Sequence, residues 1–228
     1  MRTFTKPVAM ILLLATACTA FGAGGGSLPT PTDQKFATRS PESQAQSAYN
    51  TGVKLIEKGD SLTADAARQT DERKQAKVRE KARQAYAGAL RKFAQAIEYQ
   101  STMYSAWNYL GYAQRKLGNY KDALLAYDRA IQLKPGYPEA IEYRGHAYLG
   151  LDRLSEAKEA YLTLFSGNRK LAASLLAAMQ EWVGKHRGNA AGVDGAMLES
   201  FASWVTERSA IAGQTAALTR EGAASAWN

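Results

Sequence analysis

The sequence is poor in the residues that build metal sites and disulfides. Its 228 residues include one cysteine and two histidines. A structural zinc site takes four ligands, mostly cysteine or histidine, and a disulfide framework takes pairs of cysteines. Sites of both kinds are therefore excluded as organisers of the fold, and we expect neither a bound metal nor a cofactor.

Valine and isoleucine are also sparse, whereas alanine, glutamine, lysine, arginine and leucine dominate beyond residue 41. The dominant residues have high helix propensity, while β-branched residues favour strands. Hydrophobic residues at 46% and charged residues at 22% are ordinary for a globular chain with a core. The composition therefore predicts an all-α protein.

The N-terminal residues have the pattern of a secretory signal peptide. Arg2 and Lys6 precede an apolar run at residues 8–17, and small residues follow the run. The run is shorter than the roughly 20 residues that span a bilayer. We therefore expect residues 1–22 to be a signal peptide and the protein to be exported to the periplasm.

Two interpretations of Cys18 are open. Residues 15–18, Ala-Thr-Ala-Cys, resemble a bacterial lipobox, although that motif prefers leucine where Ala15 stands. In a lipobox the cysteine becomes the lipidated N-terminus, so the protein would be a membrane-anchored lipoprotein. Ordinary cleavage after Ala20 or Gly22 would instead discard Cys18.

Residues 23–40 combine glycine, serine, threonine and aspartate with Pro29 and Pro31. They contain little that could be buried, so they cannot offset the entropy lost on ordering. We expect this segment to be a flexible tether in front of a folded body.

The centre of the chain contains an internal repeat. Three sets of positions recur at one constant interval: Ala89, Ala123 and Ala157; Phe93, Tyr127 and Tyr161; and Gly111 and Gly145. An alanine and an aromatic residue four positions later lie on the same helix face. The repeat therefore predicts pairs of helices that pack through small residues and aromatic rings.

Residues 104–137 resemble a tetratricopeptide repeat, a helical hairpin of about 34 residues. The resemblance is carried by Trp107, Leu110, Gly111, Tyr120, Ala123, Tyr127, Ala130 and Pro135. Residues 138–165 resemble a second copy, with Ile141 and Arg144 where the family usually has Trp and Leu. The resemblance implies a helical solenoid of about three helix pairs, with capping helices at its C-terminal end.

A third copy is split by an insertion, so that the repeat domain is expected to cover residues 41–165. Residues 48–59 resemble its first helix and residues 82–99 its second. The stretch from Gly52 to Ala89 is longer than the equivalent stretch from Gly111 to Ala123 by about 25 residues. The insert, residues 60–83, has no apolar stripe, and we expect an exposed extension of the second helix or a mobile loop.

The insert is rich in basic residues. From position 68 to position 83 the charged residues are Arg68, Arg73, Lys74, Lys77, Arg79, Lys81 and Arg83 against Asp71, Glu72 and Glu80. One interpretation is a solvated helix face. The other is a docking patch for an anionic surface, such as phospholipid, lipopolysaccharide or an acidic protein. The export signal argues against nucleic acid as the partner.

Two amphipathic helices are expected to cap the array over residues 166–212. Their apolar stripes are Leu171, Leu175, Met179 and Trp182 in the first, and Met197, Phe201, Trp204 and Val205 in the second. A glycine-flanked break at residues 188–195 separates them. The second helix packs on the cap or forms a contact in a homo-oligomer. The tail, residues 213–228, is expected to be frayed.

The sequence contains no recognisable catalytic constellation. His146 and His186 fall in different predicted helices, and neither has a serine or cysteine motif beside it. The glycine run at residues 24–26 has no strand before it and no helix after it, so it does not predict a phosphate-binding loop. We expect the protein not to be an enzyme.

The resemblance also implies that the first helices of the pairs line a concave groove that binds peptides. The implied groove positions are Tyr49, Asn50 and Val53 in the split copy, Asn108, Tyr109, Tyr112 and Arg115 in the central copy, and Glu142, Tyr143 and His146 in the last. The repeat interval predicts Tyr109 beside Tyr143 and Tyr112 beside His146. Chaperone-binding members carry Asn and Arg of a carboxylate clamp where Tyr109 and Tyr143 stand, so that ligand is not expected.

These features together predict an exported, tethered adaptor or scaffold that binds another protein or a peptide in the cell envelope. The alternative is a binder of the membrane surface or of an anionic envelope polymer, acting through the basic residues of the insert. Strong salt dependence of binding would favour the alternative. Loss of binding on mutation of the groove tyrosines would favour the adaptor.

Overall fold

The computed structural model describes residues 39–188 and 193–225. Within these ranges the regular structure is entirely helical: α1 (Pro41–Arg68), α2 (Glu72–Tyr99), α3 (Tyr104–Lys116), α4 (Tyr120–Leu133), α5 (Pro138–Leu149), α6 (Leu154–Gly167), α7 (Arg169–Gly188) and α8 (Gly195–Ser225). The predicted all-α class is confirmed. The signal peptide, Cys18 and most of the predicted tether lie outside the described residues.

Several helix ends follow from the local sequence. Ser40 caps α1 by accepting a hydrogen bond from the backbone N–H of Ser43, and Pro41 occupies the first turn, where its missing N–H is not needed. Gly118 and Gly136 have φ of +86° and +73°. Both glycines lie in turns that follow a helix, where the left-handed conformation favours glycine.

The helices form a solenoid of antiparallel pairs. Each helix packs on the next one in the chain, and α1, α3, α5 and α7 also contact one another in succession. The odd-numbered helices therefore make one layer. The predicted solenoid is confirmed. The two capping helices continue it as a fourth pair, since α7 packs on α5 as a first helix does and α8 packs on α7.

The repeat interval corresponds to a recurring contact between a ring and a glycine. The rings of Phe93 and Tyr127 are fully buried. A Cβ atom added to Gly111 would lie 2.7 Å from the ring of Tyr127, and one added to Gly52 would lie 2.6 Å from the ring of Phe93. Because real Cβ atoms do not come so close to other atoms, glycine is required where the two helices of a pair meet.

The last copy departs from this arrangement. Gly145 is covered by the side chain of Leu175 from α7 rather than by Tyr161 of its own pair. Tyr161 instead packs edge-on against Trp204 of α8, with ring centroids 5.5 Å apart. The capping helices therefore supply contacts that a further repeat would otherwise make.

The insertion lengthens both helices of the first pair. α1 continues from Gly52 to Arg68, whereas α3 ends at Lys116, soon after Gly111. Relative to the second pair, the first helix gains about 11 residues and the second about 14, or roughly three and four turns. The turns at 69–71 and 117–119 are equally long. The expectation of a mobile loop was wrong. The second helix is extended as the other alternative predicted, and the first helix is extended with it. We call residues 60–83 the helical extension.

Small residues explain why the helical extension forms without an apolar stripe. The contact of Gly52 with Phe93 is repeated two turns nearer the turn at residues 69–71, where Gly59 meets the ring of Tyr86. Beyond it, Ala66 and Ala82 are buried. Glycine and alanine allow the helices to approach closely, so the extension packs without the large apolar residues that mark an amphipathic pattern.

The capping helices follow the predicted stripes with two differences. Leu175, Met179 and Phe201 are fully buried, but Met197 is exposed and Leu198 is buried in its place. α8 also continues to Ser225, beyond the residue at which fraying was expected. The tail contains alanine, leucine, arginine and glutamate, which propagate an existing helix well.

We predict that Ala123→Leu lowers the free energy of unfolding by about 1–3 kcal/mol, because a larger side chain must enter a closely packed contact. Ala123 is fully buried. Urea unfolding measures the change. The matched control is Ala177→Leu at an exposed position of α7, which should have little effect. Equal stability of the two variants would show that Ala123 does not lie at a close helix contact.

Candidate functional site

The odd-numbered helices bring most of the predicted groove residues onto one surface, which we call the groove. Four tyrosines form a continuous series of ring contacts across three of these helices. The ring centroids are 5.8 Å apart for Tyr49 and Tyr109, 6.4 Å for Tyr109 and Tyr112, and 5.1 Å for Tyr112 and Tyr143. We call these four residues the tyrosine row.

The pairing within the row differs from the prediction by about one helical turn. Tyr112 faces Tyr143, and Tyr109 faces Tyr49, whereas the repeat interval predicts Tyr109 beside Tyr143 and Tyr112 beside His146. Side chains of a helix lean toward its N-terminus, and packed helices cross at an angle. Equivalent positions in successive repeats are therefore offset along the groove rather than placed side by side.

The row is anchored in the hydrophobic core. Tyr109 stacks on Phe93 with ring centroids 5.4 Å apart, and Tyr143 lies 6.2 Å from Tyr127. Burial raises the pKa of Tyr109 above its ordinary value, and burial followed by the charge of Glu142 raises the pKa of Tyr143 to about 12. The rings are therefore held in fixed positions, with one side packed and the other partly exposed.

Arg115 lies beside the row. Its guanidinium carbon is 4.9 Å from the ring centroid of Tyr112 and 5.6 Å from that of Tyr143. Its Nε is buried and makes no hydrogen bond within the described residues. A guanidinium held against two aromatic faces is restricted in orientation.

Three predicted contact residues have other surroundings. Asn108 and Glu142 are buried, at 1% and 5% exposure, so they cannot serve as groove contacts in the way predicted. Burial alone would raise the pKa of Glu142, but hydrogen bonds with His146 and Ser174 hold it below its ordinary value. Asn50 is exposed and accepts a hydrogen bond from Gln46 on α1.

A carboxylate that sequence reasoning missed joins the groove to the helical extension. Asp60 accepts hydrogen bonds from the hydroxyls of Tyr86, at 2.7 Å, and Tyr112, at 2.8 Å. The ammonium of Lys116 lies 3.2 Å from the same carboxylate. The only local signal is that Asp60 follows Gly59, and nothing in the sequence points to partners so far away along the chain.

A pocket of about 420 Å³ opens at the C-terminal ends of α3 and α5, with Thr63 of α1 and residues of α7 in its walls. Its ionisable lining residues are Arg115, Lys116, His146, Glu181 and Lys185. Lys185 pairs with Glu181, Lys116 with Asp60 and His146 with Glu142. Arg115 is the cation of this set that has no ion pair in the described ranges.

Sequence reasoning also missed the contribution of α7 to the pocket. Ala178, Glu181 and Lys185 extend the groove by a fourth helix. Met179 stands where the repeat interval would place the next glycine after Gly145, so α7 lacks the residue that marks a first helix of the repeat. Its apolar stripe consequently predicted a capping helix but not a helix that lines the pocket.

The described part of the chain contains no cluster of three or more His, Cys, Asp or Glu residues able to hold a metal ion. Among the described helices, none combines the length and the apolar character needed to cross a membrane.

Comparison with protein families matches residues 104–137 to the tetratricopeptide repeat. Among solved structures, the chain is similar to the yeast Sti1 TPR2B domain in a pHsp70 complex, with 13% identity over 72% of this chain and 98% of that one, and a TM-score of 0.38. It is also similar to the second TPR domain of human RPAP3 in complex with an HSP70 peptide, with 20% identity over 58% and 95% and a TM-score of 0.41. No curated protein matches.

We predict that the protein loses stability as the pH rises above 10. Free tyrosine titrates near pH 10, and burial raises the pKa of Tyr109, Tyr112 and Tyr143, the last to about 12. From about pH 10 to about pH 12 the unfolded chain therefore binds fewer protons than the folded one, so the free energy of unfolding falls. Urea unfolding at a series of pH values measures this decrease.

Tyrosinate absorbance provides an independent check of the predicted loss of stability above pH 10. Part of the tyrosine signal of the folded protein should appear only well above pH 10, and Tyr143→Phe should remove one late-titrating group. If every tyrosine of the folded protein titrated near pH 10, the tyrosine row would not be buried as described.

Proposed function

Because the chain is a tetratricopeptide-repeat protein, we propose that it is a non-catalytic adaptor that binds a segment of another protein in its groove. The observation that carries the proposal is the tyrosine row with Arg115 beside it, which spans three successive first helices. On the opposite layer of the described structure, ring contacts join only two of the even-numbered helices. They connect α6 and α8 through Tyr161 and Trp204.

The row has the properties of a recognition surface. Tyrosine rings offer a large contact area with few rotatable bonds, so ordering them on binding costs little entropy. The packing of Tyr109 on Phe93 and of Tyr143 near Tyr127 removes most of the remaining freedom before a partner arrives. Such preorganisation favours affinity because less entropy is lost on association.

The geometry favours an extended peptide segment. The row comprises three consecutive ring contacts of 5.1 to 6.4 Å, so it spans at most about five residues of extended chain at roughly 3.3 Å per residue. Apolar side chains of the segment would lie on the exposed ring faces. Arg115 would donate hydrogen bonds to a backbone carbonyl or to an acidic side chain of the segment.

The setting of this adaptor is proposed from residues 1–40. A signal peptide and a flexible tether suit a scaffold protein of the bacterial cell envelope, located in the periplasm or anchored there through a lipidated Cys18. A tether would let the folded body reach partners away from the anchor.

We test binding at Arg115 because its replacement removes no aromatic ring from the core. Tyr109→Ala and Tyr143→Ala would also remove contacts with Phe93 and Tyr127, so a loss of binding in those variants would be mixed with a loss of stability. We predict that Arg115→Gln weakens the binding of peptides selected by the wild-type protein from a displayed random library by about tenfold, or about 1.4 kcal/mol. Fluorescence anisotropy measures the affinity.

The matched control is Arg129→Gln, which removes an exposed arginine from α4, away from the groove. This variant should bind the selected peptides as the wild type does. Equal affinity of Arg115→Gln and the wild type would refute the groove proposal. So would photo-crosslinks from a bound peptide to α4 and α6 rather than to α3 and α5.

The lipoprotein interpretation makes its own prediction. If Cys18 is lipidated, Cys18→Ala should move the protein from the membrane fraction to the soluble periplasmic fraction, since the acyl chains supply the anchor. Cell fractionation and N-terminal sequencing of the wild type measure this. A mature N-terminus beyond residue 18 would exclude the anchor.

A further inference from the structure

The helical extension provides a second exposed surface. It lengthens the two helices of the first pair by roughly three and four turns relative to the second pair. At about 1.5 Å per residue, it projects about 16–21 Å past the turn that joins α3 and α4. The solenoid does not need this projection, since the two pairs that follow pack with much shorter helices.

The base of the extension is held firmly. The hydroxyl of Tyr86 bonds to Thr63 at 3.0 Å and to Asp60 at 2.7 Å, and its ring lies against Gly59. Asp60 also holds Lys116 of α3. These contacts join both extended helices to the second pair. The outer part of the extension, residues 65–83, is therefore held at a defined place, and we call it the tip.

The tip carries positive charge that has no local partner. Most of its acidic residues are engaged: Asp65 pairs with Arg68, Glu80 pairs with Arg83, and Asp71 caps α2 by accepting a hydrogen bond from a backbone N–H. Glu72 is the acidic residue between them that has no ion pair in the described structure. Five cations of the tip are exposed and form no ion pair in the described structure: Arg73, Lys74, Lys77, Arg79 and Lys81.

The placement of these cations does not serve the fold. Arg73 and Lys74 lie in the first turn of α2, where the helix dipole disfavours positive charge. Arg73, Lys77 and Lys81 follow one another at every fourth position, which places like charges next to each other on one face. Since both arrangements oppose helix stability, a role outside the fold accounts for them better.

The tip also lacks apolar anchors. The exposed large hydrophobic residues of the described chain are Tyr99, Leu125, Leu162, Met197 and Ile211, and none of them lies in the extension. Interfaces between proteins usually depend on buried aromatic or aliphatic anchors, whereas attraction to a charged membrane needs only cations near the surface. A narrow projecting tip can also reach a flat surface without contact between that surface and the solenoid.

We propose that the helical extension docks on a membrane surface of anionic phospholipids, with its unpaired lysines and arginines against the headgroup phosphates. The proposal is independent of what the groove binds. The attraction is electrostatic, so it falls with ionic strength. Each basic residue near an anionic bilayer contributes roughly a fivefold increase in partitioning.

Cosedimentation of the full chain with vesicles tests the proposal. Phosphatidylcholine vesicles containing phosphatidylglycerol should bind the protein at low salt, and the binding should decrease as salt is added. Lys74→Gln/Lys77→Gln/Lys81→Gln should reduce partitioning on the order of a hundredfold. The corresponding triple glutamate variant should reduce it further. Every variant carries the same N-terminal residues, so differences between variants report on the extension.

The matched control neutralises three exposed lysines elsewhere, as Lys54→Gln/Lys121→Gln/Lys170→Gln, which gives the same net charge. This control should keep most of the binding. An equal loss in control and extension variants would mean that net charge alone attracts the protein, and the proposal would be wrong. It would also be wrong if the wild type bound single-stranded RNA or a polyglutamate peptide while ignoring the anionic vesicles.

Discussion

The contact between an aromatic ring and a glycine determines the spacing of the helices within the first two pairs of this protein. Where Tyr127 lies on Gly111 and Phe93 on Gly52, the two helices of a pair meet at a distance that admits no Cβ atom. The same two rings, Phe93 and Tyr127, support Tyr109 and Tyr143 at the surface of the layer of odd-numbered helices. The groove therefore forms from the helix packing itself and needs no additional structural element.

The same contact, repeated once more between Gly59 and Tyr86, supports the helical extension. The hydroxyl of Tyr86 then meets Asp60, which also receives the hydroxyl of Tyr112 from the groove. One carboxylate therefore belongs both to the base of a charged projection and to the edge of the groove. The two proposed surfaces are distinct in chemistry, since one is aromatic and the other cationic, yet they share a structural base.

Much of the fold could be predicted because it depends on a periodic pattern. The interval between Ala89, Ala123 and Ala157 predicts the helix pairs directly, and their burial agrees with it. The extension was harder because alanine and glycine give no hydrophobic periodicity, although the two-turn step from Gly52 to Gly59 is visible in the sequence. The neighbours of Tyr112 and the partners of Asp60 depend on crossing angles and on contacts between distant residues, which a repeat interval does not contain.

The lengthening of both helices of the first pair, with a turn of unchanged length, has a consequence for how this protein can vary. Because the step from Gly52 to Gly59 matches the step from Phe93 back to Tyr86, the hairpin is built of stacked layers. Removing one such step from each helix would shorten the reach of the tip by about two turns, or about 10 Å, and keep the remaining layers in register. Within the segments Gly52–Gly59 and Tyr86–Phe93, deletions that do not correspond to whole turns would rotate the rings away from their glycines, so in these segments the length can change only in discrete steps.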